Sequence, residues 1–387
     1  MPFISKRFYL ILCATTHLFC ITAPTNASIL GTIYDLEWEA EEALKQELVS
    51  LPEALENIPY GEDIGVVTGV KTISLQGITA PYNASIIEGT DGEYLLFFRQ
   101  DIPIRPPAPG PFYTYVGVVK LDSAFEQKEE ACVVETGSTF SEDPRVTKVG
   151  NEYYLSFNDL VLIEKYYCRI IRVGRWNPNT FQMDFITDLD QEFKPVEKNW
   201  MPFESHINGR PTLHFVYSMT PHKIFHLPDP EMNFMHSLGY SRSKTTPRLP
   251  WLSKWGEPRG GTPAKIVDGE YLAFFHSSFK DKKKVWYVMG AYTFETQHPF
   301  RITSISRFPI IFKEIYTAPH IHTANPNVNN IFPSGYVVEK KDGKTLLHVS
   351  CGDNDAAVKI ITIDKKALEK TMTKINHSET PQLQKIQ

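Results

Sequence analysis

The eight-residue stretch Asp91-Gly92-Glu93-Tyr94-Leu95-Leu96-Phe97-Phe98 recurs almost letter for letter as Asp268-Gly269-Glu270-Tyr271-Leu272-Ala273-Phe274-Phe275. Looser copies begin at Gly150, Asn208 and Asp342. Each copy couples a tight turn containing glycine to a segment rich in aromatic and β-branched residues, which predicts a hairpin turn followed by a strand. Internal repetition of this kind indicates one supersecondary unit used several times.

The spacing of the copies predicts the fold. The turns are about 60 residues apart, except that the last interval is longer and contains Thr317–Asn330, a stretch rich in Pro, Asn and His. Further short strands are predicted at Ala84–Ile87, Tyr115–Leu121, Arg169–Val173, Val285–Ala291 and Lys359–Ile363. Four or so strands per repeat, five times over, predict an all-β, five-bladed β-propeller. A β-sandwich or two unrelated β domains are the alternatives.

Composition agrees with a single globular protein. The chain has 387 residues, of which 42% are hydrophobic and 12% aromatic, and its formal net charge is −5. Nucleic-acid binding would require a basic surface, which this balance does not suggest.

The first 27 residues have the pattern of a signal peptide. Lys6-Arg7 precedes an apolar run over Phe8–Ile21, and Thr25-Asn26-Ala27 offers small residues at a cleavage point after Ala27. The run of about 14 residues is shorter than the roughly 20 that span a bilayer. We therefore expect export to the periplasm or the medium and no transmembrane span after cleavage, the alternative being an uncleaved anchor.

The remaining chain divides into three parts. Residues 28–60 are predicted to form an N-terminal helical extension, because Leu36, Ala40, Leu44 and Leu48 recur at fourfold spacing. The propeller is predicted over 61–366, and 367–387 reads as a polar C-terminal tail.

Metal and disulfide sites are not predicted. Beyond the predicted signal peptide, the cysteines are Cys132, Cys168 and Cys351. They are odd in number and widely spaced, so we predict that each is a small buried side chain and not part of a disulfide or zinc site. His320 and His322 have no carboxylate at ligating spacing. We expect no metal and no cofactor.

The densest group of reactive side chains is Ser141-Glu142-Asp143-Pro144-Arg145, directly before the second repeat strand. Two carboxylates beside an arginine can give one ionised carboxylate and one acid whose pKa is raised by burial. The alternative is a turn in which the aspartate caps the backbone and pairs with Arg145.

Comparable positions in the other repeats carry further polar residues. Lys198-Asn199-Trp200 precedes the third repeat strand and is either a binding site for an anion or a sugar, or a surface loop. His276 lies at the end of the fourth repeat strand. Asp353 and Asp355 follow the fifth, where they either bind sugar hydroxyls or cap a turn. Gly260-Gly261 permits close backbone approach but forms no nucleotide-binding pattern.

Taken in order, these motifs resemble glycoside hydrolase family 130, the β-mannoside phosphorylases and hydrolases built on five-bladed propellers. The resemblance runs from about Tyr82 to Ile363. Its pieces are Tyr82-Asn83-Ala84-Ser85 with Arg99, Glu142-Asp143-Pro144-Arg145, Lys198-Asn199, Gly261-Thr262-Pro263 with Phe275-His276, Tyr287–Ala291, Phe332–Gly335, and Gly352-Asp353-Asn354-Asp355.

The resemblance implies an inverting enzyme with an oligosaccharide or other glycan as substrate. It implies that Asp143 is the proton donor and that Asn83, Arg99 and Asp355 hold a mannose-like ring. Lys198, Asn199 and His276 would face phosphate or the attacking water, with inorganic phosphate a possible co-substrate, and Arg145 belongs to the same binding set.

One departure from the sequence pattern of this family argues against phosphorolysis. Phosphorylases of this kind carry an arginine at the end of the third repeat strand, where this chain has Val216-Tyr217-Ser218. The absence of this arginine favours hydrolysis over phosphorolysis. The second hypothesis is a mannosyltransferase of the same fold that uses an activated mannosyl donor. The third is a non-catalytic propeller that binds glycans or a protein through surface tryptophans (Trp176, Trp200, Trp251 and Trp255).

Overall fold

The structure is a computed structural model that describes residues 50–90, 92–103, 112–163, 165–189, 195–227, 239–245, 249–320 and 327–376. The predicted signal peptide and most of the predicted extension over 28–60 lie outside these residues, as does 377–387. Within them, no helix is long and apolar enough to cross a membrane.

The described residues are mostly β-structure with three short helices. The helices are α1 (Glu53–Glu56), α2 (Leu252–Trp255) and α3 (Lys365–Lys370). The strands are β1 (Val67–Ile73), β2 (Tyr82–Glu88), β3 (Tyr94–Pro103), β4 (Phe112–Leu121), β5 (Cys132–Val133), β6 (Glu142–Val149), β7 (Glu152–Ile163), β8 (Tyr166–Asn177), β9 (Gln182–Asp188), β10 (Met201–Ile207), β11 (Arg210–Met219), β12 (His222–His226), β13 (Gly239–Thr245), β14 (Arg259–Gly260), β15 (Lys265–Val267), β16 (Glu270–Asp281), β17 (Lys284–Phe294), β18 (Ile302–Ser306), β19 (Val328–Asn329), β20 (Ile331–Lys341), β21 (Lys344–Asp353), β22 (Ala357–Asp364) and β23 (Met372–Lys374).

The described strands form four four-stranded sheets and one larger sheet in a propeller-like arrangement. The four-stranded sheets have the orders β2-β3-β4-β5, β6-β7-β8-β9, β10-β11-β12-β13 and β1-β22-β21-β20. In the larger sheet, β14 and β15 both pair with β16, which is followed by β17, β18 and β23. Because β1 completes the sheet made by the last long strands, the two ends of the repeat region are joined by backbone hydrogen bonds.

The repeated turns predicted from sequence are present. They join β2 to β3, β6 to β7, β10 to β11, β15 to β16 and β20 to β21, and each holds a glycine at positive φ: Gly92, Gly150, Gly209, Gly269 and Gly343. Residues in this region of φ suit the tight turns of antiparallel hairpins.

The core lies between neighbouring sheets. One apolar cluster joins the β2–β4 strands to β20 and β22 through residues such as Phe98, Ile86 and Val337. A second joins β2–β4 to the β6 sheet, with Phe97 against Trp176, and a third joins the β6 sheet to the β10 sheet around Trp200. Face-to-face packing of successive sheets is what a propeller requires of its blades.

The predicted tryptophan surface is wrong. Trp176, Trp200, Trp251 and Trp255 are all buried, with exposed fractions of 5% or less. A large aromatic ring contributes most when both of its faces are packed, and these rings fill the spaces between and behind the sheets.

The end of the described chain is packed rather than frayed. Asp364 caps α3 by accepting a hydrogen bond from the Ala367 N–H, Leu368 is fully buried, and β23 pairs with β18. Residues 367–376 of the predicted polar tail therefore belong to the folded body. From the predicted N-terminal extension, the structure describes 50–60, which includes the single turn α1.

Candidate active site

Seven of the eight predicted site residues line one cavity. It has a volume of about 280 Å³ and lies where the first strands of the sheets begin and the second strands end. The seven are Asn83, Arg99, Asp143, Lys198, Asn199, His276 and Asp355. The first and last of them, Asn83 and Asp355, are more than 270 positions apart in the sequence. Only the arrangement of the sheets brings these loops and strand ends together.

Distorted backbone directs several of these side chains. Asn83 and Asp143 have φ values of 46° and 52°, and each lies at a register shift in the pairing of its strand. Asn199 and Asp355 also have positive φ. A bulge re-aims a side chain at the end of a strand, and Asn and Asp tolerate the left-handed region better than other side chains that carry a Cβ. The local sequence thus accepts a strained backbone where the site needs it.

Asp143 is held from both carboxylate oxygens. Its Oδ1 accepts hydrogen bonds from Asn83 Nδ2 at 2.9 Å and from Arg99 Nη1 at 3.3 Å, and its Oδ2 accepts one from Asn158 Nδ2 at 3.3 Å. The residue as a whole is 5% exposed. Its position and orientation are therefore fixed before any ligand binds.

The pKa of Asp143 is lowered below its ordinary value. Burial alone raises this pKa, but Arg99, Lys198 and Arg145 together lower it further than burial raises it, and the hydrogen bond from Asn83 adds to the lowering. In the free protein the carboxyl is ionised throughout the neutral range.

Arg99 is held in a planar fork. Its Nε and Nη2 donate to the two oxygens of Asp101 at 2.9 and 3.0 Å, while Tyr82 donates to the same carboxylate and lies beneath the guanidinium. The remaining Nη1 faces Asp143. Such bidentate pairing fixes direction as well as charge.

Glu142 organises the neighbouring cations. Its carboxylate receives Arg169 Nη2 at 2.6 Å, Lys198 Nζ at 2.8 Å and Arg99 Nη2 at 3.3 Å. Glu204, another acidic residue near the start of a repeat strand, accepts a hydrogen bond from the Gly150 N–H and lines a different cavity. It is not part of this site.

Arg145 is the one predicted site residue that does not line the cavity. It is buried, and it donates to the carbonyl oxygens of Gly261 at 2.6 Å, Asp143 at 3.1 Å and Gly260 at 3.5 Å. A Cβ at Gly261 would lie 2.4 Å from the Phe274 oxygen, so only glycine allows this close approach. Arg145 therefore positions the backbone that carries Asp143.

His276 presents a neutral imidazole to the cavity. Burial, with Arg145 and Arg259 adding to its effect, lowers its pKa to about 3. Its ring lies between Tyr287 and Phe332, at centroid distances of 5.9 and 4.4 Å. The buried Nδ1 has no hydrogen-bond partner among the described protein atoms. Buried polar atoms are nearly always satisfied, so an unpartnered ring nitrogen on a cavity-lining residue is a candidate ligand contact.

Asp355 is fixed by an asparagine that sequence reasoning missed. Asn330 Nδ2 donates to Asp355 Oδ1 at 2.7 Å, and the Asn330 N–H donates to Asn354 Oδ1 at 3.0 Å. The Oδ1 atoms of Asn330 and Asn83 are buried and have no partner among the described protein atoms. Both amides therefore keep an acceptor for hydroxyl groups.

Seven lining residues were not predicted as site residues. They are Arg259, Tyr287, His320, Val328, Asn330, Phe332 and Asn354. Arg259 matters most, because its exposed guanidinium adds a cation to the side of the cavity formed by β14 and β16, where it is paired in register with His276. Its place immediately before Gly260-Gly261 was the available signal.

Comparisons with known proteins support the fold. No family model matches the chain, and no curated protein matches its sequence. Among solved structures, the chain is similar to a β-1,2-mannobiose phosphorylase from Listeria innocua in complex with β-1,2-mannobiose, with a TM-score of 0.52 and 16% identity over 81% of this chain and 98% of that one.

It is also similar to MPT-1, a GDP-Man-dependent mannosyltransferase from Leishmania mexicana, with a TM-score of 0.52 and 12% identity over 79% of this chain and 92% of that one. At these identities the similarity shows a shared fold. The chain thus has a propeller fold like that of enzymes acting on glycosides, and its chemistry must be argued from its own site.

Proposed function

We propose that this protein is a carbohydrate-active enzyme that cleaves β-mannosides with inversion, and that Asp143 is its proton donor. The observation that carries the proposal is the position of Asp143: a buried carboxylate, oriented by Asn83, Arg99 and Asn158, in a cavity that also holds Asp355 and His276. Amide and carboxylate groups around one cavity suit a ring with several hydroxyl groups.

We also infer that the sheets close into five blades. In the larger sheet, β14 and β15 act as one first strand interrupted at Gly261-Thr262, and β16, β17 and β18 follow it in blade order. β19 and β23 then are additions to a fourth blade, and the β1–β20–β21–β22 sheet is the fifth.

The lowered pKa of Asp143 bears on the reaction type. A proton donor must hold a proton when the sugar is bound, and here the cations Arg99, Lys198 and Arg145 oppose that state. An anion bound next to Lys198 and Arg259 would offset this positive field and raise the pKa of Asp143. The lowered pKa therefore favours a reaction with an anionic co-substrate, such as inorganic phosphate, over simple hydrolysis.

A mannosyltransferase is the second candidate. The diphosphate of an activated mannosyl donor would engage the same cations, Lys198 and Arg259, so the observation that favours phosphorolysis favours transfer as well. Arg259 also compensates for the missing arginine at the end of the third repeat strand, because it supplies a positive charge to the cavity from a different sheet. The binding-module hypothesis loses its main support, since its four tryptophans are buried.

The test is an assay with defined substrates. Purified protein is incubated with β-1,2- and β-1,4-mannobiose, with and without inorganic phosphate, and with GDP-mannose plus mannose as acceptor. Mannose 1-phosphate formed only with phosphate indicates phosphorolysis, free mannose without phosphate indicates hydrolysis, and a longer product from GDP-mannose indicates transfer.

The Asp143→Asn variant identifies the donor. General acid catalysis contributes about 10²–10⁴-fold, so the variant should lose that factor in kcat. Asp159→Asn is the matched control: Asp159 is equally buried and paired with Arg172, but it does not line the cavity. Equal losses in both variants, or turnover unchanged in Asp143→Asn, would contradict the assignment.

We further propose that the chain is exported after cleavage at Ala27. Protein recovered outside the cytoplasm should then begin at Ser28 when its N-terminus is sequenced. An intact N-terminus in that fraction would contradict cleavage.

A further inference from the structure

The β7–β8 hairpin extends beyond its sheet on the side of the candidate active site. Its two strands stay paired from Tyr153↔Trp176 to Ile163↔Tyr166 without a register shift. In the described residues, pairing with β6 ends at Asn158 and pairing with β9 begins only at Arg172. The outer part of the hairpin is therefore an arm that rises from the edge of the cavity.

This arm carries most of the exposed large apolar side chains in the described part of the chain. Five of the seven such residues belong to it or adjoin it: Leu162 (60% exposed), Ile163, Tyr166, Tyr167 (59% exposed) and Val196. Val196 lies beside the arm through its bridge to Arg169, and it is two positions before Lys198 of the cavity. Concentrated exposed apolar area of this kind marks a contact surface.

One face of the arm is continuous with the site. Side chains alternate along a strand, and residues paired across antiparallel strands share a face. Asn158, Arg169, Leu162 and Tyr167 thus lie on one face. Asn158 donates to Asp143 and Arg169 to Glu142, so the Leu162–Tyr167 pair continues the wall that holds the site's carboxylates, about 13 Å farther along the strand.

The opposite face differs. It carries Ile163 and Tyr166, and Lys165 places its ammonium over the Tyr166 ring at 5.4 Å. Tyr167 has no ring or cation against it among the described residues. The aromatic ring that remains open is therefore the one on the face leading to the cavity.

We propose that Leu162 and Tyr167 form a binding platform for sugar units beyond the bond that is cleaved, so that the substrate is a β-mannoside chain longer than a disaccharide. A sugar ring combines an apolar face with a rim of hydroxyls. The platform offers an apolar pair and a phenol, and Arg169 lies on the same face of the hairpin between this pair and Asn158, which donates to Asp143. This inference rests on the proposed function, because it assigns the extension of the same site.

The test compares substrate length. β-Mannobiose and the β-mannotetraose of the same linkage are measured with the wild type, Tyr167→Ala and the matched control Tyr166→Ala. Loss of an aromatic platform should weaken tetraose binding and raise its KM about 5- to 10-fold in Tyr167→Ala, with the biose unchanged. Tyr166→Ala should resemble the wild type for both sugars.

Binding is also measured by isothermal titration calorimetry, which separates this inference from the function. Tetraose binding that depends on Tyr167 in a protein without turnover supports the platform and contradicts the enzyme. Turnover of the biose with no gain from the longer chain, or equal effects of the two tyrosine variants, overturns the platform. A change of oligomeric state confined to Tyr167→Ala, seen by light scattering, would assign the surface to a second copy of the chain and also overturns it.

Discussion

Asn83 donates a 2.9 Å hydrogen bond to Asp143 although the two residues are 60 positions apart on the first strands of neighbouring sheets. Both have positive φ, and both occupy the bulge that opens their strand. The same distortion in two successive repeats thus turns two side chains toward each other at the centre. Repetition of the fold unit becomes a chemical site because equivalent positions of different sheets converge.

The position of Asn83 depends on a glycine in a third sheet. A Cβ at Gly352 would lie 2.1 Å from Asn83 Oδ1 and 2.9 Å from Asn83 N. Gly352→Ala should displace Asn83, loosen Asp143 and lower kcat/KM about tenfold or more, because small misplacements at a reacting centre are costly. Steady-state kinetics measure this. Gly69→Ala is the control, since its nearest contact would be an ordinary 3.8 Å; equal effects from the two alanines would contradict the prediction.

The sequence revealed the repeat because its turns obey local rules. Asn-Gly and Asp-Gly turns and alternating strands are specified by neighbouring residues, so the hairpins at Asn208, Asp268 and Asp342 were predictable without tertiary information. The placement of the tryptophans was not. Whether Trp176 faces solvent or the next sheet depends on a partner about 80 positions away, Phe97, that no local pattern identifies.

The site was predictable in location but not in electrostatics. Family-like motifs indicated Asp143 and its neighbours, and the cavity contains seven of the eight predicted residues. The direction of the Asp143 pKa shift depends on Arg99, which comes from another sheet, and on Lys198, which lies just before β10. Arg145 is the exception: adjacency in sequence suggested a side-chain pair, whereas its guanidinium bonds to backbone carbonyls.

Arg145 should act on both stability and turnover. Arg145→Lys keeps the charge but cannot reach the carbonyls of Gly261, Gly260 and Asp143 together, and hydrogen bonds from charged donors contribute about 1.5–3 kcal/mol each. We expect a loss of about 2–3 kcal/mol in the free energy of unfolding and a lower kcat with little change in KM.

Urea denaturation and steady-state kinetics check the Arg145 prediction. The control is Arg175→Lys, on a partly exposed side chain that pairs with Glu152 and Asp184 away from the cavity. A changed KM with normal kcat would instead make Arg145 a substrate contact.

Buried histidines should make the protein acid-sensitive. Burial lowers the pKa of His222 to about 4, below its ordinary value near 6.5, and its Nδ1 lies 2.8 Å from the Phe300 carbonyl oxygen. Between these two values the unfolded imidazole binds a proton and the folded one does not. Stability is therefore full above about pH 7 and is lost as the pH falls, by about 2 kcal/mol at pH 5 from this group.

Urea denaturation at pH 7.5 and pH 5 measures the effect. His222→Gln should reduce the difference between the two pH values by about that amount, although the variant is less stable at both. His298→Gln, on an exposed side chain, is the control and should keep the wild-type difference. An unchanged difference in His222→Gln would show that the acid sensitivity lies elsewhere.

The buried Lys359–Asp353 pair should be costly to break, and the cost should fall as the pH is lowered. The two charged atoms are 2.8 Å apart at 2% and 0% exposure, and Asp353 also accepts the N–H groups of Thr317 and Ala318. Removing one partner of such a pair costs about 3–5 kcal/mol, so Lys359→Met should lose that much free energy of unfolding at pH 7.5.

The pH dependence of this loss follows from the pKa of Asp353. Burial raises that pKa and Lys359 opposes the rise. Without the lysine, the folded carboxyl binds its proton at a still higher pH, well above the pH at which the unfolded carboxyl does. The deficit should therefore shrink as the pH is lowered toward 5, and Lys359→Met with Asp353→Asn should recover part of it at pH 7.5, because the neutral amide still accepts the backbone hydrogen bonds. Urea denaturation of the single and the double variant at pH 7.5 and pH 5 measures these effects. If the loss of stability grows on acidification, or if the double variant is no more stable than the single one, the cost of Lys359→Met comes from lost packing and not from an unpaired buried charge.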